Sequence, residues 1–489
     1  MTSPTATDRP ESAPSETVRD PGSYRDPGGF VYRRNGVLYR QIDAASIDDW
    51  DAFVASGLAK RLIKAGRLIG HEPASLDEAA TPDARAVIRP DEIEFISYPF
   101  EWTFSELKDA ALLTLDVELD ALAVGWTLKD ASAYNVQFRD ARPILIDSLS
   151  FEPHEDGAPW VAYRQFCEHF LAPLTLMAYR DIRLSALLRA DPDGVPLDLA
   201  KGLVPWRTRL NFGLLSHLHL HANAQRRHAG NEDDGVAAKS ARISRSRLVA
   251  LIGNLRNTVA GLTWKPDGTE WSDYADNTSY NDRATAAKAR LVGEFVAQTP
   301  GTQAWDLGAN TGRYSRIAAD AGKRVLAWDI DAAAAEQNYR AVRSEGRTDI
   351  LPLILDLANP SPGIGWGGRE RRSLFERANP DVVLALALVH HLAISRNIPL
   401  PMLVDLLATL APHAVVEFVP KEDSMVRRLL ATRRDVFPDY SLDGFRAAAT
   451  ERFDIVGETA IAESPRVLFL LRRRGDRRRG DRRRETQPT

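Results

Sequence analysis

Two carboxylates set around a glycine turn carry the most informative chemistry in this chain of 489 residues. Trp305-Asp306-Leu307-Gly308-Ala309-Asn310-Thr311-Gly312 runs from an apolar segment through small residues into a helical pattern, Tyr314 to Ala321. Arg324-Val325-Leu326-Ala327-Trp328-Asp329 then reads as a second buried strand ending in an acid. Glycines let a backbone approach its ligand closely, and an acid at the end of the second strand accepts both hydroxyls of a ribose. Strand, glycine turn, helix, strand and acid form the order in which an open α/β sheet grips an adenosyl group. Asp306, between Trp305 and Leu307, is costly to bury unless hydrogen-bonded. Asp331 suits the N-cap of the next helix.

The elements that must position these residues continue to the C-terminus. A helical stretch spans Ala332 to Glu345, and the apolar segment Ile350 to Leu355 ends at Asp356. Val382 to Leu386 is a continuous apolar run, as expected of a central parallel strand covered on both faces. Leu400 to Leu410 has helical spacing, Ala414 to Phe418 is strand-like with Glu417 inside it, and a helical pattern lies near Asp443 to Thr450. Phe453 to Val456 and Val467 to Leu471 are close enough to pair as an antiparallel hairpin. With these elements, the passage around Asp306 resembles motif I and the following acidic position of class I S-adenosylmethionine (SAM)-dependent methyltransferases. The variant is D-L-G-x-N-x-G, with Asn310 in place of the middle glycine; Asn tolerates left-handed backbone angles better than most residues.

The resemblance implies an α/β, Rossmann-like methyltransferase sheet with an antiparallel closing strand over residues 271–472, and SAM as cofactor. It places Asp306 near the methionine end, Gly308, Asn310 and Gly312 in the turn, Asp329 at the ribose and Asp356 near the adenine amino group. Asp356 also suits the Asn359-Pro360-Ser361-Pro362 turn. Tyr280, with Tyr274, lies in the region that often covers the cofactor in this family; both also fit as packing aromatics. Residues from about Trp271 onward are expected to bind SAM by themselves.

Methyl transfer needs in-line approach of a nucleophile and, for some acceptors, a base. Residues after the fourth strand usually face the acceptor in this family, and here they include His390 and His391. Either suits a base, or packs and caps the next segment. Glu417 and the Lys421-Glu422-Asp423 loop lie at the same end of the sheet and are further candidates. The family's Asn-Pro-Pro-Tyr element is missing after the fourth strand, which disfavours exocyclic-amine and glutamine acceptors. The single cysteine, Cys167, lies far from this part, which excludes a cysteine-nucleophile mechanism, and the chain has no Cys/His zinc pattern.

In the front half, Phe30-Val31-Tyr32 and Val37-Leu38-Tyr39 flank an Asn35-Gly36 pair that favours a tight hairpin. A buried helix, Leu112 to Val124, leads to Lys129-Asp130-Ala131-Ser132-Ala133-Tyr134-Asn135, a short strand, a turn at Arg139 to Pro143, and Ile144-Leu145-Ile146-Asp147. That arrangement resembles the catalytic loop of protein kinases and aminoglycoside phosphotransferases. The resemblance makes Asp130 the base, Asn135 a metal ligand and Asp147 the principal metal ligand. Lys60 and Lys64 are candidates for the phosphate-contacting lysine. Leu128 replaces the family's histidine and Ser148-Leu149 its Phe-Gly, and no convincing Gly-rich loop is present. The alternative is a helix, loop and hairpin whose Asp and Asn cap turns.

Residues 1–29 read as a disordered tail, poor in apolar side chains, without a signal peptide's hydrophobic core. Residues 30–235 are expected to be an α+β, kinase-like domain, 236–270 a linker with a helix, and 473–489 a basic disordered tail. The Arg-rich repeat in that tail either attracts nucleic acid or is a solvated end; the chain's net charge of −4 gives the body no nucleic-acid-binding character. His217, His219 and His221 suit a metal only on a strand, and their surroundings are helical. No apolar run approaches membrane-spanning length, and one cysteine cannot form an intrachain disulfide, so a cytoplasmic protein is expected. The reading is a methyltransferase acting on an unidentified acceptor. The alternatives are an enzyme that both phosphorylates and methylates, and a scaffold with a degenerate kinase-like module and a SAM-binding domain.

Overall fold

Asn35 and Gly36 both adopt positive φ, 52° and 82°, the geometry of a two-residue hairpin turn that matches strand twist. The computed structural model describes residues 16–220, 242–266, 282–431 and 434–475. The hairpin joins β2 (Gly29–Arg34) to β3 (Val37–Asp43), within a five-stranded antiparallel sheet that adds β1 (Thr17–Arg19), β4 (His71–Ala74) and β5 (Ala84–Pro90) in the order β1-β2-β3-β5-β4. β1 lies within the stretch expected to be a disordered tail. Polar composition left that segment without an apolar core to join, but it finds ionic partners instead. Arg25 Nε and the Tyr24 hydroxyl donate to Glu370 at 2.8 and 3.0 Å, and the Glu370 side chain is only 1% exposed. Residues 1–15 lie outside the described residues, as do 476–489 of the basic tail.

The long helix begins earlier than its apolar pattern suggests, at Phe104 rather than Leu112. Its start is a capping box: Thr103 Oγ1 accepts from the Glu106 amide, and the Glu106 carboxylate accepts from the Thr103 amide at 2.7 Å. After the helix, Phe104–Leu122, come β6 (Trp126–Leu128), β7 (Val136–Arg139), β8 (Arg142–Leu145) and β9 (Phe151–Pro153). β6 pairs with β9 and β7 with β8, both antiparallel. The helix Arg245–Gly261, inside the expected linker, belongs to this front part. It packs along Phe104–Leu122, tied by Arg256 to Asp116 at 2.5 Å and by Lys108 Nζ to the Ala260 and Leu262 carbonyls.

The C-terminal sheet contains β10 (Gln303–Leu307), β11 (Arg324–Asp329), β12 (Ile350–Ile354), β13 (Val382–Ala385), β14 (His413–Phe418), β15 (Phe453–Ala460) and β16 (Val467–Arg473). Their order is β12-β11-β10-β13-β14-β16-β15. The first five are parallel, and β16 runs antiparallel between β14 and β15. Alternate residues face opposite sides of each strand. Ala304, Val325, Ala327, Val382 and Leu384 pack with Leu291, Val292 and Phe295 of the Asp282–Ala297 helix and with Ala318 and Ala319 of the Arg313–Asp320 helix.

The other face is covered by the front half. Trp305, Leu307, Trp328, Leu351 and Leu353 share one core with Phe95, Trp102, Phe104 and Leu107. Phe95 stands edge-on to both Trp305 and Trp328, with ring centroids 5.5 and 5.6 Å apart. Polar ties frame this seam. Glu336, on the Ala332–Glu345 helix, accepts from the Ser105 amide and hydroxyl at 2.9 and 2.5 Å, Tyr339 donates to Asp109 at 2.8 Å, and Glu101 meets Ser361 and Arg377. The two halves therefore complete each other's interior, which a boundary near Trp271 does not convey.

Candidate functional site

β10 and β11 deliver two acids to the carboxyl end of the sheet. Asp306 is 2% exposed, and its Oδ2 accepts from the Ser315 hydroxyl at 2.6 Å. This is the hydrogen bond that a carboxylate between Trp305 and Leu307 requires. Burial raises its pKa to about 6, opposed by Ser315 and Lys288. Asp329 is raised to about 6 by the same cause, opposed by the Asp331 and Asn310 amides. Both are mostly ionised at neutral pH.

The glycine turn is laced to β11. The Gly308 and Ala309 amides donate to the Trp328 carbonyl at 2.8 and 2.9 Å. The Asn310 amide donates to Asp329 Oδ2 at 2.7 Å, and the Asp331 amide to Oδ1 at 2.8 Å. With the Ile330 amide as a third backbone partner, the carboxylate still has acceptor capacity left for a ligand. Gly308 (φ 76°) and Asn310 (φ 50°) are left-handed, and Asn is among the few residues with a side chain that take that conformation readily. Gly312 is left-handed too (φ 80°), and a Cβ there would also sit 2.3 Å from Asn338 Oδ1. Asp331 caps the Ala332–Glu345 helix through the Ala333 amide.

These groups open on a cavity of about 530 Å³ lined by Asp306, Gly308, Asn310, Asp329, Asp356 and His391, among others. Asp356 accepts from the Ala358 amide at 2.9 Å and lies 3.5 Å from Arg396. His391 is on the cavity wall, and burial, with Arg466 nearby, lowers its pKa to about 4. It is a neutral imidazole at physiological pH. His390 is fully buried, with no hydrogen-bond partner at either ring nitrogen, and lies against His391 with centroids 4.0 Å apart and the rings tilted by 39°. It packs behind the cavity rather than lining it. Tyr280 and Tyr274 lie outside the described residues.

Glu417 is the centre of a buried ionic network. Lys288 Nζ lies 2.5 Å from its Oε2 and Arg466 Nη1 3.1 Å from its Oε1, while Arg466 also reaches Asp423 at 2.8 Å. All four side chains are at most 4% exposed. Lys288 and Arg466 also line the cavity, and Lys288 lies 4.3 Å from the Tyr314 ring centroid. Neither cation was among the sequence candidates. The signal was Glu417 itself, since a carboxylate inside an apolar strand needs a buried countercharge.

In the front half, Asn135 and Asp147 meet through Ser150, while Asp130 bonds within its own turn. Asp147 Oδ1 pairs with Arg40 of β3 at 2.7 Å and accepts from the Leu149 amide, while Oδ2 accepts from Ser150 at 2.6 Å. Burial pushes this carboxyl up, but Arg40, Ser150 and Leu149 outweigh it and the net shift is downward. Asn135 donates to Ser150 at 3.3 Å, and Asp130 accepts from the Ser132 amide at 2.9 Å within its own turn. Arg371, from the C-terminal half, lies over Tyr134 at 4.1 Å. Arg40, rather than Lys60 or Lys64 of the Leu58–Lys64 helix, meets Asp147. His217 bonds Tyr163 and Asn254, and His219 bonds Thr208. His221 lies outside the described residues, among which no cluster of His, Cys, Asp and Glu suits a metal.

Five parallel strands, an antiparallel insertion beside the outer strand, and a glycine turn between two acids define the class I methyltransferase type of Rossmann-like fold for the C-terminal half. The chain is 37% identical over 461 residues to nodulation protein NoeA of Rhizobium meliloti (strain 1021), covering 92% of this chain and 95% of that protein. It belongs to the NoeA family. No protein-family model matches it. Among solved structures, it is similar to the magnesium protoporphyrin IX methyltransferase ChlM of Synechocystis PCC 6803 with bound SAH, at 17% identity and a TM-score of 0.30, over 42% of this chain and 93% of that one. It is also similar to the N-methyltransferase NodS of Bradyrhizobium japonicum WM9, at 11% identity and a TM-score of 0.29, over 40% of this chain and 99% of that one.

Proposed function

We propose that this chain is a SAM-dependent methyltransferase. The observation that carries the reading is Asp329, at the end of β11, hydrogen-bonded into the Gly308–Gly312 turn while facing the cavity that the turn and Asp306 share. The residues fit the cofactor. Asp329 retains acceptor capacity for ribose hydroxyls, Gly308 takes left-handed backbone on the cavity wall, and Asp356 on the same wall can accept from an adenine amino group. SAM supplies an electrophilic methyl group that an acceptor atom displaces in line. The chain's contribution is to bind, orient and exclude water, with His391, Met425, Lys288 and Arg466 on the cavity wall. NoeA is named for nodulation, and metabolites of that process are the place to begin an acceptor screen. We place the chain in the cytoplasm.

Replacing Asp329 by alanine leaves two ligand hydroxyls unpaired and should weaken binding of S-adenosylhomocysteine by about 1–3 kcal/mol. Calorimetric titration of the variant checks this; unchanged affinity would put the ribose elsewhere.

A second reading concerns the front half, and Arg40 favours it. We infer that this half is a scaffold without phosphotransfer, because a guanidinium already neutralises Asp147, the carboxylate that a metal would need. ATP with Mg²⁺ is expected to leave the melting temperature of the full chain unchanged. A bound nucleotide at a hundredfold excess over its dissociation constant would add about 2.7 kcal/mol. A magnesium-dependent rise that vanishes in Asp147→Asn would overturn the scaffold reading.

A further inference from the structure

Trp206, Leu210 and Phe212 are 72%, 75% and 74% exposed. Large apolar side chains do appear singly on protein surfaces, but three this exposed within seven residues need a reason. Local structure holds them outward. Pro205 leads into a short 3-10 turn, Trp206–Leu210, in which only Thr208 is buried. Thr208 donates to the Pro205 carbonyl at 2.7 Å and bonds His219 Nε2 at 2.8 Å, so the turn is pinned from its inner side. Asn211 then caps the following helix by accepting from the Leu214 amide at 3.1 Å. Leu199 and Leu203 add further exposed apolar surface, at 43% and 37%.

Basic side chains outnumber acidic ones around this turn, where Asp198 lines the same cavity as Lys201, Trp206 and Arg209. Between Leu199 and Leu220 the chain carries Lys201, Arg207 and Arg209 and no acidic residue, in a protein of net charge −4. Arg207 and Arg209 alternate with the apolar residues and are themselves exposed. A protein-binding surface typically gathers its apolar residues at a centre and its charges at a rim. Interleaved aromatics and arginines instead suit a lipid interface, where the rings enter the headgroup boundary and the guanidinium groups reach anionic headgroups. Residues 221–241, which follow in the sequence, contain Val236 as their only large apolar side chain. No helix among the described residues is long and apolar enough to cross a membrane.

We propose that Trp206, Leu210 and Phe212, with Arg207 and Arg209, form a peripheral anchor that seats this protein on an anionic lipid bilayer. The test is co-sedimentation of the full chain with vesicles of phosphatidylcholine alone and of phosphatidylcholine mixed with phosphatidylglycerol. Binding is expected to the mixed vesicles and to fall by on the order of tenfold or more without the anionic lipid. Replacing Trp206, Leu210 and Phe212 together by serine should reduce binding by at least about tenfold. Arg207→Gln with Arg209→Gln should reduce it by a similar factor and remove most of its salt dependence. All five side chains are exposed, so the melting temperature should not change, and the arginine variant tests the proposal even if the serine variant folds poorly. Failure to bind mixed vesicles overturns the proposal, as does binding undiminished in both variants. So does a concentration-dependent dimer that the serine variant abolishes while vesicle binding persists, because the surface is then a self-association face.

Discussion

Glu417→Ala is expected to destabilise the protein by about 3–5 kcal/mol. The carboxylate is completely buried and holds Lys288 through one oxygen and Arg466 through the other. Two cations and the two acids Glu417 and Asp423 balance as they stand; deleting one acid leaves an excess positive charge among side chains at most 4% exposed. Lys288 already has its pKa lowered by burial, against the opposing pull of Glu417. Without that pull it sheds its proton or draws water inward, and either response costs stability. Glu417→Gln keeps the shape and a hydrogen-bond acceptor and should cost less than Glu417→Ala. Urea unfolding of the full chain measures both. A loss below about 1 kcal/mol for Glu417→Ala, typical of exposed pairs, would mean that the network is hydrated in solution.

Separating the halves is expected to have a larger effect still. Residues 282–475 alone would expose Trp305 and Trp328, now 2% and 1% exposed, together with the neighbouring leucines of β10 to β12. Each such side chain forfeits about 1.5–3 kcal/mol on exposure, and Glu336 and Tyr339 lose their partners Ser105 and Asp109. The sum is comparable with the roughly 5–15 kcal/mol that holds a typical domain together. The isolated part should therefore aggregate or melt without a cooperative transition, where the full chain gives one. A soluble fragment with a sharp thermal transition would show that the shared core is dispensable.

That outcome bears on what the sequence could convey. The order of elements from Asp306 to Leu471 was legible because each strand is a short apolar run and each turn carries its own chemistry. Asn310 and Gly312 announce left-handed backbone, and Asp331 announces a cap. Continuous apolar strands also signal that both faces are covered. They do not say by what, and here one cover comes from residues two hundred positions away in sequence, such as Phe95. The same limit hid Lys288 and Arg466, whose meeting with Glu417 depends on a helix before β10 and a residue just before β16. His390 and His391 are adjacent in sequence, yet one is packed behind the cavity and the other lines it. Only the turn after β13, with Ala387 at φ 51°, decides which. In the front half, the spacing of Asp130, Asn135 and Asp147 was plain, while the arginine that neutralises Asp147 lies on a strand about a hundred residues earlier.

Titration of the full chain with S-adenosylhomocysteine, followed by calorimetry, tests the central claim most directly. Saturable binding of one ligand per chain is expected, weakened by Asp329→Ala. Absence of binding heat at any accessible concentration and at more than one temperature, from protein that melts cooperatively, would contradict it.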